Sequence, residues 1–210
     1  MNILRILKYV TIVLGLLPLV TAVINYKNLN HTLKLAAVFF ALSFLIDTLS
    51  IFVKHFNMAN NYPMFQFFNI ICILFFGIIY YQSFYNKYIK ILTLIMTNIA
   101  MLMVIFYTVK NSIWAYPSAS NTVVSVFLIL ISLIYFYQLL NWQEFTHIER
   151  QPLFWINSGV LIYFSINIFL FMLYNKLQDK NYYYVINSVT NIITNLLFAI
   201  GLFCKPRKRI

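Results

Sequence analysis

TVVSVFLILISLIYFYQLL, residues 122–140, runs for nineteen positions without a charged side chain. As a helix it rises about 28 Å, close to the roughly 30 Å hydrocarbon thickness of a bilayer. A helix on the surface of a soluble core shows a polar face at a period of 3.6 residues. This stretch has none, so it reads as a helix with apolar surroundings on every side.

Working outward, six more runs of this kind appear at 6–24, 33–53, 63–81, 89–109, 153–174 and 182–203. Composition points the same way. Of the 210 residues 62% are hydrophobic and 9% charged, with a mean hydropathy of +0.82. Soluble domains carry roughly 45–50% apolar and about 25% charged residues. A soluble core of this size would lack the polar surface to cover it, and a disordered chain would not carry so much to bury. The sequence predicts an all-α polytopic membrane protein, one seven-helix transmembrane bundle over residues 1–210. No connection between runs is long enough to fold separately.

The run boundaries carry physical markers. Pro63 and Pro152 open the third and sixth runs, where a missing N–H costs nothing. Asn25, Asn28, Asn30, Asn60, Asn61, Asn111, Asn121 and Asn181 gather in the connections. Tyr80, Tyr81, Tyr85, Tyr88, Trp142 and Tyr182 to Tyr184 sit near run ends, as rings at a membrane interface do. Pro18 should kink the first run. That run is read as a retained helix, because Thr21-Ala22-Val23 is a poor cleavage site.

Net charge is +11. The cations stand one or two at a time between apolar runs, so no basic face for nucleic acid is assembled. With the N-terminus outside, nine cations fall inside and six outside, which predicts a cytoplasmic C-terminus in the cell membrane. Lys205, Arg207, Lys208 and Arg209 are then placed to contact anionic lipid. The two cysteines, Cys72 and Cys204, are expected to be free thiols.

Asp47 is the only acidic residue inside a run. An Asp at a helix centre costs about 2.5–3.5 kcal/mol on insertion scales, so it should face the bundle. Ser43, Asp47 and Ser50 share one helix face. They read either as a proton- or ligand-responsive track or as interhelical hydrogen-bonding groups. The seventh run carries Asn187, Asn191, Thr194 and Asn195 on one polar face. Asn157 in the sixth run completes a candidate interior site, which either lines a pocket or glues helices together. The three histidines are scattered, so no metal or cofactor site is expected. Glu144, His147, Glu149 and Arg150 lie in the 141–151 connection, a candidate contact for a partner protein. No catalytic motif appears: there is no H-E-x-x-H, no G-x-S-x-G and no second intramembrane carboxylate.

The string Pro152-Leu153-Phe154-Trp155-Ile156-Asn157-Ser158-Gly159-Val160-Leu161-Ile162-Tyr163-Phe164, with the seven-run layout, resembles a group of uncharacterised bacterial seven-helix integral membrane proteins. That resemblance implies a gene setting beside sensor histidine kinases, and no catalytic residues. The expected function is a non-enzymatic sensing or signalling-accessory module in the lipid bilayer. It would act through a histidine kinase or another signalling membrane protein. A small-molecule transporter or channel is the alternative, and a lipid-acting intramembrane hydrolase stands behind both.

Overall fold

The computed structural model describes residues 3–55, 60–141, 148–177 and 180–204. The first apolar run divides into α1 (Ile3–Gly15) and α2 (Leu17–Ile24). Six long helices follow: α3 (His31–His55), α4 (Tyr62–Ser83), α5 (Lys87–Asn111), α6 (Ser118–Asn141), α7 (Pro152–Leu173) and α8 (Lys180–Phe203). Each holds a stretch long and apolar enough to cross a bilayer, and Tyr9–Ile24 is a shorter apolar segment. The architecture is that of a multi-pass helical membrane protein.

The expected kink at Pro18 is a break two residues earlier. Pro18 sits in the first turn of α2, where it needs no donor, and its ring would strike the carbonyl four residues back. The chain tightens instead, with Leu16 N–H donating to the Val13 carbonyl at 3.2 Å.

Packing follows a ring. α1 and α2 both lie along α8, which packs on α7, and α7 packs on α6. α6 contacts α5 and α4, α4 contacts α3, and α3 returns to α2. Among the described residues, α3 makes no comparable approach to α7 or α8.

The asparagines in the connections work as caps. The Asn30 side chain accepts from Leu33 N–H at 2.9 Å, and that of Asn86 from Tyr88 N–H at 2.8 Å, which start α3 and α5. Buried Asn25 donates to the Leu202 carbonyl at 2.9 Å, satisfying an orphan acceptor at the end of α8. At the opposite end of the bundle, Tyr116 stacks on Tyr174 at 3.6 Å and its hydroxyl lies 3.3 Å from that of Tyr183. Burial and the neighbouring Tyr183 hold the Tyr116 phenol well above its usual range, so it stays a neutral hydrogen-bonding group.

Tyr80 corrects the interfacial reading of the run-end tyrosines. It is buried, and it belongs to the interior rather than the interface.

Candidate functional site

Lipid-facing side chains fix the orientation of α3. Val38, Leu45 and Leu49 are exposed and lie along one stripe. Asp47 is about 200° around the helix from Leu45, on the same side as buried Leu33, Ala36 and Phe40. Asp47 thus lies on the side of α3 that turns towards the bundle, and the residue is nevertheless exposed.

Below Asp47, one aromatic contact joins α3 to α8. Phe40 of α3 stacks on Phe198 of α8, with centroids 4.2 Å apart. Beside them, Gly15 of α1 leaves room for the Phe44 ring and the Asn195 amide, which a Cβ there would meet at 3.4 and 3.9 Å. Asp47 lies seven residues beyond Phe40, and Asn191 lies seven residues before Phe198. Because the two helices are antiparallel, both sit about 10 Å above the stack. Asn187, Asn191 and Asn195 share the inward face of α8, opposite exposed Val189, Ile193 and Ile200. From α7, the Tyr163 hydroxyl donates to Asn187 Oδ1 at 3.2 Å and lies within electrostatic range of Asp47. Asn195 Nδ2 donates to Asn191 Oδ1 at 2.8 Å. Among the described residues, no hydrogen bond or ion pair reaches the Asp47 carboxylate. α3, α7 and α8 together bring one carboxylate, one phenol and three amides to neighbouring levels of the bundle.

No family model, curated protein or solved structure matches this chain.

Not every residue of the expected interior site lies here. Ser43 is half-buried one turn below Asp47. Ser50 is buried and bonded to the Asn61 side chain, tying α3 to the start of α4. Thr194 is buried on the same face of α8 as the asparagines, but its hydroxyl is spent on the Thr190 carbonyl at 2.8 Å. Asn157 belongs to a separate buried hub. There the Tyr80 hydroxyl bonds Asn157 Oδ1 and lies 3.0 Å from Ser132 Oγ, and Asn157 Nδ2 donates to the Ser132 carbonyl at 3.2 Å. The hub joins α4, α6 and α7 with its bonds made internally, so it zips helices together rather than offering a pocket. Asn157→Ala should lower stability by about 2 kcal/mol, since intramembrane bonds contribute roughly 0.6–1.7 kcal/mol each. Tyr80→Phe should cost about half as much. Thermal unfolding in detergent measures both, and two unchanged midpoints would remove the hub as a structural element.

Tyr163 escaped the sequence reading, because one Tyr among sixteen carries no mark of its depth or direction. Among the described residues, no three His, Cys, Asp or Glu side chains converge. Of the partner-contact candidates, Glu149 and Arg150 are exposed on a short 3-10 turn, where the Glu149 carbonyl accepts from Trp155 Nε1 at 2.7 Å. Glu144, His147, Lys205, Arg207, Lys208 and Arg209 lie outside the described residues. Cys72 and Cys204 are free thiols.

Proposed function

We propose that this protein is a non-enzymatic, seven-span sensing module of the cell membrane. It binds a small organic cation, or a proton in its place, at Asp47 and signals through a separate partner. The observation that carries this reading is a solitary exposed carboxylate without a described hydrogen bond, on the side of α3 that turns towards the asparagines of α8. The space between these two helices above the Phe40–Phe198 contact is the proposed binding cleft. A carboxylate at membrane depth has two favourable states, protonated or paired with a cation. A cation bound at Asp47 would also attract the amide oxygens and the phenol on the far wall. That draws α3 towards α8, a movement a ligand can drive only through such differential contacts.

Orientation follows the distribution of cations. With the C-terminus cytoplasmic, the cleft opens towards the outer half of the membrane. The turn bearing Glu149 and Arg150 then faces the cytoplasm, where a histidine kinase or a similar protein could read the movement. A transporter would need the Phe40–Phe198 floor to open. A hydrolase would need acid or base groups beyond one carboxylate.

The test is a titration of the full chain in detergent with methylammonium, guanidinium and tetramethylammonium, each followed by thermal unfolding. Proteoliposome flux of the same cations is measured in parallel. Stabilisation by one or more cations without flux is expected. Flux alongside binding would replace this reading with the transporter. Stabilisation by acetate or acetamide but by no cation would end it.

A further inference from the structure

A second concavity lies elsewhere on the bundle, between α5 and α6. It is an open groove of about 910 Å³. Met96, Ile99 and Leu130 line its deep end, and Tyr107, Asn111 and Asn175 line its mouth. We propose that this groove seats one membrane glycerophospholipid, with an acyl chain along the deep end and the phosphate at Asn111 and Asn175.

Three observations support that occupant. The first is length. From Met96 to Asn111 the groove follows α5 for about 22 Å, and one leaflet with its headgroup layer is about 20–22 Å thick. The second is the gradient of polarity. The deep end is aliphatic, so water there would find no partners, and a void of this size does not stay empty in a fluid bilayer. At the mouth, the exposed amides of Asn111 and Asn175 have no hydrogen bond among the described residues, and Lys176 is exposed next to Asn175 in the chain, whereas Lys110 rests over the Phe106 ring, off the groove. Two free amides with a cation beside one of them favour a phosphate. The third is adaptability. Met96, Met103 and Met172 line the groove, three of the seven methionines in the chain. Unbranched thioether side chains suit a flexible chain better than a rigid helix ridge.

The strained backbone at the mouth fits a built site. Ser112 has φ 70°, the only positive φ at a non-glycine among the described residues. Such conformations persist where their surroundings over-determine them.

The full chain, reconstituted with phosphatidylglycerol carrying a photoreactive acyl chain, tests the proposal. Cross-links should concentrate on α5 and α6 between residues 96 and 130. Native mass spectrometry should show one retained lipid per monomer. Val123→Trp fills the groove and should cut retention roughly tenfold, the effect of about 1.4 kcal/mol of lost binding. Leu102→Trp, on the exposed side of α5, should leave it unchanged. Ala119→Trp, half-exposed nearer the mouth, replaces Val123→Trp if that variant does not fold. Cross-links spread equally over α8 would overturn the proposal. So would a lipid-free dimer, which would mean that a second copy fills the groove. Diacylglycerol retained as well as phosphatidylglycerol would overturn the phosphate assignment.

Discussion

Gly201→Ala is expected to destabilise the bundle by about 3 kcal/mol or more, at the upper end of overpacking penalties. A Cβ at Gly201 would meet the Pro152 carbonyl oxygen at 2.8 Å, Ile156 Cγ1 at 2.8 Å and Ile156 N at 3.3 Å. Two of those three atoms are backbone of the first turns of α7, which cannot rotate out of the way. Relief requires α7 and α8 to part, and each packs more extensively on the other than on most of the ring. Displacing the end of α8 would also disturb the bond from Asn25 to the Leu202 carbonyl. Gly77→Ala is the internal comparison. The nearest atoms a Cβ there would meet belong to the Thr97 side chain, at 2.7 Å for both Cγ2 and Oγ1. Turning Thr97 cannot clear both γ atoms and would break its bond to the Thr93 carbonyl, but no backbone atom is among them, so the cost should be smaller. Unfolding midpoints in one detergent compare the two, and equal losses would refute the backbone argument.

Asp47→Asn should abolish the cation-induced stabilisation while leaving basal stability unchanged or raised. At a ligand concentration of 100 Kd, wild type gains about 2.7 kcal/mol, and the variant should gain nothing measurable. The basal sign distinguishes binding from packing. No described bond holds the carboxylate, and an Asp at membrane depth costs about 2.5–3.5 kcal/mol on insertion scales. Neutralising it therefore removes a liability. A residue that served as glue would lower the midpoint when replaced. A persistent cation shift in Asp47→Asn would move the site elsewhere.

The helices were legible in the sequence because lipid imposes length and hydropathy on each of them. The expected run 153–174 is Pro152–Leu173 in the structure, and 182–203 is Lys180–Phe203. Which side of a helix faces the interior was legible only where polar residues marked it. The Asn187–Asn191–Asn195 stripe does face inward. The aromatic residues of α7 gave no such mark, because exposed Phe169 and core-facing Phe171 are the same residue type. Period carries little information when lipid and core are equally apolar.

Pooling polar residues into one site failed for a related reason. Asn157 and Ser50 are buried polar groups like the others, but their partners, Tyr80, Ser132 and Asn61, come from other helices. Those meetings depend on rotation and tilt, which no single run encodes. The same holds for the glycines. They stand alone in sequence, yet Gly159 admits the Phe198 ring and Gly201 admits the start of α7.

The bond from Asn25 to the Leu202 carbonyl spans 177 positions and joins the end of α2 to the end of α8. During translation α1 and α2 emerge long before α8, their main neighbour, has left the ribosome. Until then α2 has only α3 beside it, and α1 has no long helix to lean on. Assembly of this chain is thus held open until α8 arrives. A nascent segment broken at Leu16 must wait for its partner, which makes it the piece most in need of a chaperone.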